Sequence, residues 1–260
     1  MKTERIADIL TKYKDEISVV RKSRLLQIEE KIQMLAKHQV RLVDCTSTDS
    51  YSVLELAYSI PKRAHDIISA MKLGILNDQV VPVVILARAL IETTATGCLF
   101  YDRMEKHLGK TDHERLARDF IKFYAGGRLE GAPKGFHTND GLRHLEQIDS
   151  IYFAKISKAS SQVVEALKDN AGVLKLYDEL SEIAHPNGLG LQYLYPAEDA
   201  EDPKNVKERY RHLVGAAVWQ CHHIVRAMTN FSNFDQRYND AFPEPPGFRK
   251  AMLAAGLVSS

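Results

Sequence analysis

Apolar positions recur along this chain at spacings of three and four, the period of an amphipathic helix, and alternation of useful strand length is absent. Ile6, Leu10, Tyr13, Ile17 and Val20 form one stripe. It slips by one residue and resumes at Leu25, Ile28, Ile32 and Leu35, which predicts a long N-terminal amphipathic helix with a stutter, over 1–45. The polar run Cys45 to Ser50 ends that unit and offers N-caps to the next. Pro61 suits a first helical position and Gly74 a stop, predicting a short helix between them. An almost wholly apolar helix follows from about Asp78 to His107. Thr111-Asp112-His113-Glu114 has the pattern of a capping box and opens a helix that ends near Gly126-Gly127.

Residues 126–139, with four glycines and a proline, predict a loop that could cover a site. Helices are then expected over about Asp140–Asp169 and Tyr177–His185. A second long loop spans 186–205, one last long helix runs from about Val206 to Phe231, and Phe248–Val258 forms a short docking segment. The expected fold is all-α: a helical-bundle core over 50–242 behind the long N-terminal helix, with a tail over 243–260.

Gln79 to Tyr101 is long enough to cross a bilayer, but Arg88 and Glu92 lie near its middle. A central Arg alone costs roughly 2.5–3.5 kcal/mol on insertion scales, so the stretch reads as a buried helix of a soluble protein. The N-terminus lacks the apolar segment of a signal peptide. Three dispersed cysteines fit a reducing cytoplasm better than a disulfide scaffold. With 35 basic against 34 acidic residues, a duplex-DNA track is not expected, and any nucleic-acid role needs a local basic patch.

Candidate chemistry collects in three places. Arg88, Glu92 and Thr96, each four apart, make the one polar strip on the apolar helix. They either knit helices together or let Arg88 grip an anion. Leu174, Tyr177, Ser181 and His185 share one side of a later helix, which Pro186 stops at His185. His185 then serves as a cap or as a site residue beside Asn187. On the last helix, the core stripe through Leu213, Ala217, Cys221, Ile224 and Met228 is opposed by His212, Gly215, Trp219, His223 and Arg226. That second face could be a homodimer seam, a further core face or a ligand contact. No metal ion or cofactor is expected. Glu182-x-x-His185 is half of a di-iron carboxylate pattern and lacks its second half. In Cys221-His222-His223, adjacent helical residues diverge by about 100° and would not share one ion.

With Arg88-Ala-Leu-Ile-Glu92 and Tyr177-x-x-x-Ser181-x-x-x-His185-Pro186-Asn187, the chain resembles bacterial all-helical proteins allied to the HEPN superfamily, over about 50–231. The resemblance implies a helical-bundle core, frequent dimerisation, and a connection to RNA cleavage or to stress and antiphage defence. Nucleases of that superfamily carry Arg, four to six residues, then His on one helix. Here Arg103 to His107 encloses three residues and Arg209 to His212 two. The function expected is therefore a ligand-sensing or protein-interaction module with an RNA or nucleotide ligand. The alternative is a metal-independent ribonuclease using His185 as general acid–base and Arg88 for the phosphorane charge.

Overall fold

A computed structural model describes residues 5, 19–77, 79–125, 136–159, 172–185, 203–243, 247–248 and 250. Among them the chain is helical, without a strand. The helices are α1 (Val19–Ala36), α2 (Thr48–Leu76), α3 (Val80–Leu108), α4 (His113–Ala125), α5 (Thr138–Ala159), α6 (Val173–Ala184), α7 (Pro203–Gln220), α8 (His222–Phe231) and α9 (Phe234–Ala241). The all-α bundle expected from the periodicity is the fold observed.

Helix α3 is the axis of the bundle, and α2, α4, α5, α6, α7 and α8 all pack against it. Among the described residues it is the one helix long and apolar enough to cross a membrane, and 67% of its apolar window is buried inside the fold. Ala87, Leu90, Ile91, Ala95 and Met104 have no exposed surface. Each fully buried large side chain contributes roughly 1.5–3 kcal/mol, so an apolar cylinder of this length organises everything around it. Two glycines let neighbours come close. A Cβ on Gly97 would lie 2.6 Å from Ile60 Cγ2 of α2, and one on Gly141 of α5 would lie 3.1 Å from the Ala95 carbonyl carbon. Leu25, Ile28 and Ile32 of α1 join the same core, as their stripe predicted, and Lys72 of α2 pairs with the buried Glu29. Residues 6–18 of the expected N-terminal helix lie outside the described residues.

Several boundaries differ from expectation. Helix α2 does not start at Pro61 but runs straight through it, opened by a reciprocal Ser47–Ser50 capping box. An interior proline removes the N–H that would bond the carbonyl four residues back. That carbonyl, Ala57 O, instead accepts from the buried Tyr101 hydroxyl of α3 at 2.8 Å. At α4 the cap is Asp112, whose carboxylate accepts from Arg115 N at 3.1 Å, while Thr111 sits at φ 51° before it. The long final helix breaks at Cys221 into α7 and α8, and α9 follows inside the expected core span, past the Phe231 end expected for the last long helix. Asp235 of α9 anchors it on the start of α2, accepting from Thr46 N at 2.9 Å and Ser50 Oγ at 2.6 Å. Phe248 packs on Phe120 with ring centroids 5.0 Å apart; the rest of the expected docking helix, from 251 on, lies outside the described residues.

The Tyr101–Ala57 bond makes a specific prediction. Tyr101→Phe strands a buried acceptor and should cost about 1–3 kcal/mol in urea unfolding. Adding Pro61→Ala restores the helical donor, so the double variant should lose clearly less than the sum of the single ones. Simple additivity would show that the hydroxyl does not stand in for the missing N–H.

Candidate functional site

Arg88, Glu92 and Tyr177 meet where α6 crosses α3. The Tyr177 hydroxyl accepts from Arg88 Nη2 at 2.9 Å and Nε at 3.2 Å, and donates to Glu92 Oε1 at 2.8 Å. Arg88 Nε also lies 3.3 Å from Glu92 Oε1. Burial, reinforced by Glu92, pushes the Tyr177 pKa up, so the phenol keeps its proton. Ser181 Oγ donates to Tyr177 O at 2.7 Å and is engaged with its own helix. His185 is exposed in extended backbone just past α6, its N–H bonded to Ser181 O. The arrangement is a closed three-residue brace between α3 and α6. Its ion pair is 29% and 36% exposed, which makes it a modest contributor to stability. Pro186, Asn187 and the rest of 186–202, and residues 126–135, lie outside the described residues; they hold most of the two loops expected over 186–205 and 126–139.

The second face of the last helix is largely a core face. Trp219 is 3% exposed and His223 3%, so the indole expected to join two copies lies inside this fold. His212 is half-buried and Arg226 is exposed, with its guanidinium 4.9 Å from the Tyr152 ring centroid. His222 and His223 are consecutive residues at the start of α8, yet their rings lie side by side with centroids 3.7 Å apart, so the roughly 100° offset of adjacent helical positions does not keep the two side chains from meeting. Asp149 of α5 completes the group, His223 Nε2 lying 2.8 Å from its Oδ1. His222 Nδ1 is 2.8 Å from the Trp219 carbonyl oxygen, and its Nε2 is buried without a partner. Loss of hydration lowers both imidazole pKa values to about 3 and raises Asp149 to about 6. These three side chains are the set among the described residues that could hold a metal ion.

His223 and Arg226 line a cleft of about 890 Å³ between α3, α5 and α8, with His144, Tyr152 and Lys155 of α5 opposite. Trp219 and His222 border a smaller cavity of about 140 Å³ against α1. Cys98 reaches the cleft, but desolvation raises its thiol pKa far above the ordinary value, so no thiolate nucleophile is on offer.

A third feature went unread in the sequence. Where the end of α3 meets α4, a pocket of about 300 Å³ is lined by Arg103, Lys106, Lys110, Arg115, Arg118 and Lys122, with His107 and Asp119. Among the described residues Asp119 is the only acid on that lining, and it takes His107 Nε2 at 2.8 Å and Lys122 Nζ at 3.2 Å. Arg115 turns to Asp112 at 3.3 Å. Lys106, Lys110 and Arg118 have no carboxylate within 4.0 Å among the described residues. The ring of Phe136 stands beside the pocket, 5.7 Å from the Arg103 guanidinium and 5.3 Å from Lys122 Nζ. The cations are separated by three to seven positions along two helices and the turn between them, a spacing that signals a solvated face unless the two helices are known to converge.

Comparison with known proteins gives no match: no family model, no curated protein and no solved structure is recognisably similar to this chain.

The buried triad sets a pH dependence. Below about pH 6 the unfolded chain takes two protons on His222 and His223 that the folded chain refuses, since their folded pKa values are about 3. The folded chain takes one on Asp149, with pKa about 6, that the unfolded carboxylate does not. One net proton is thus bound on unfolding, and the triad's contribution falls as pH falls from about 6 to about 4, by about 1.4 kcal/mol per pH unit. In Asp149→Asn the offsetting proton is gone, so the loss of stability with acid should steepen towards twice that slope. Urea unfolding at stepped pH with chelator present measures both slopes; equal slopes would contradict the assignment.

Proposed function

We propose that this chain is a helical ligand-binding module that takes a phosphate-bearing ligand, RNA or a nucleotide, in the basic pocket between α3 and α4. The observation that carries this reading is the charge of that pocket: six Lys and Arg side chains against one carboxylate, on a chain whose formal net charge is only +1. Like charges held together at this density repel, and a phosphate relieves that repulsion while accepting several charge-assisted hydrogen bonds. Phe136 adds an aromatic face next to the cations, the pairing that single-stranded nucleic-acid binders use. The balanced charge elsewhere suits a local contact better than a long duplex track. The pocket supports a ligand-sensing role at a site away from the Arg88 brace.

The ribonuclease alternative keeps the pair expected from the sequence, with the exposed His185 as general acid–base and Arg88 for the phosphorane charge. His107 of the basic pocket does not serve, since its Nε2 is held by Asp119 at 2.8 Å and its Nδ1 is buried.

The test is fluorescence anisotropy with a labelled single-stranded RNA and a labelled ATP analogue, each run with an RNA integrity check. The substitutions Lys106→Ala, Lys110→Ala and Arg118→Ala together should leave the fold intact and weaken binding at least about tenfold, since hydrogen bonds to charged groups contribute about 1.5–3 kcal/mol each. Unchanged affinity in the folded triple variant rejects the pocket. RNA that stays intact supports the module. Fragments whose release slows by about 10²–10⁴ in His185→Ala support the nuclease.

A further inference from the structure

We propose that Asp149, His222 and His223 form a binding site for one divalent first-row transition-metal ion, with open coordination positions towards the cleft between α3, α5 and α8. Three independent features converge on this. The first is the donor set. Two imidazole nitrogens and one carboxylate oxygen form the combination that holds Zn²⁺ or Fe²⁺ while leaving room for water or substrate, and the nitrogens disfavour Mg²⁺ and Ca²⁺. One ligand atom from each residue lies within 4.8 Å of those of the other two. Small side-chain rotations therefore gather them round one ion at about 2.0–2.2 Å.

The second feature is an unpartnered nitrogen. His222 is 8% exposed, and its Nε2 is buried with no hydrogen-bond partner. Its Nδ1 lies 2.8 Å from the Trp219 carbonyl oxygen, which can only accept, so Nδ1 carries the proton and Nε2 presents a lone pair. A backbone carbonyl fixing the far side of the ring is how metal-binding histidines are usually oriented. Leaving such a nitrogen buried without a partner is costly, and a metal ion satisfies it.

The third is the charge of Asp149. It is 4% exposed, and its neighbours His223 and Gln220 bond it as neutral groups. A buried carboxylate without a countercharge is unfavourable, and a divalent cation supplies one. His223 lines the cleft and His222 the smaller cavity behind it, so an ion among them stands in the wall between the two. Tyr152 and Arg226 reach both cavities and flank the open positions.

The site does not depend on the phosphate pocket, and the experiment keeps them apart. The full chain, stripped with chelator, is titrated with Co²⁺ while the visible d–d absorption is followed, and the Co²⁺ is then displaced with Zn²⁺. The expected result is saturation at one equivalent. Removing a ligand in His222→Ala or Asp149→Asn should weaken binding by about 100-fold or more, and Gln220→Ala, which only frees the carboxylate, by about 10–100-fold. His137→Ala, on an exposed histidine, and the Lys106/Lys110/Arg118 triple variant should bind as the parent does. Because the parent chain is titrated first, misfolding of a variant cannot hide the answer. No Co²⁺ or Zn²⁺ bound by the parent, or undiminished binding in folded His222→Ala and Asp149→Asn, overturns the site.

Discussion

Helix α3 is apolar over nearly its whole circumference, and a cylinder of that kind is stable in water only when other helices surround it. Helices α2 and α4 to α9 do so, and the charged groups of α3 are confined to where its cover is incomplete. Arg88 and Glu92 lie on the seam that α6 closes, Tyr177 binding both. Asp102, Arg103, Glu105 and Lys106 lie on the last turns, where the packing opens and α3 borders both the cleft and the basic pocket. Burial of one helix thus decides where the chain can be polar at all. The pockets follow from its far end rather than from its middle.

That division separates a brace from the candidate sites. In the brace both donor nitrogens bonded to Tyr177 and the acceptor on Glu92 are already matched within the chain, which leaves little for a ligand to gain. Around Asp149, His222 and His223, and around Lys106, Lys110 and Arg118, the balance is reversed. One cluster holds a buried lone pair and a carboxylate with neutral neighbours. The other holds cations without carboxylates among the described residues. Binding free energy is available where the fold leaves electrostatic demand unmet.

The elements that were legible in the sequence are those whose periodicity and burial agree: the stripe Leu25, Ile28 and Ile32, and the apolar α3. Those that were not legible depend on compensation from a distant residue. Nothing near Pro61 announces that the Tyr101 hydroxyl will take over the Ala57 carbonyl and let α2 continue. Nothing in the stripe through Cys221 announces a break there, because the apolar spacing stays in phase across it. Nor does it announce that the His222 and His223 rings lie side by side, with His223 on the Asp149 carboxylate. The basic pocket escaped for a related reason: its cations sit on two helices and, for Lys110, on the close turn after Leu108 that brings those helices together.

Electrostatics at the end of α3 is the claim on which the functional account stands, and the salt dependence of RNA binding tests it most directly. Each cation that neutralises a phosphate contributes about one unit, somewhat less for single strands, to the slope of log affinity against log salt. The account predicts a slope of several units for the parent chain, reduced by about one in Lys110→Gln, with binding of neutral ligands unaffected. A slope near zero, or one that Lys110→Gln leaves unchanged, would contradict it.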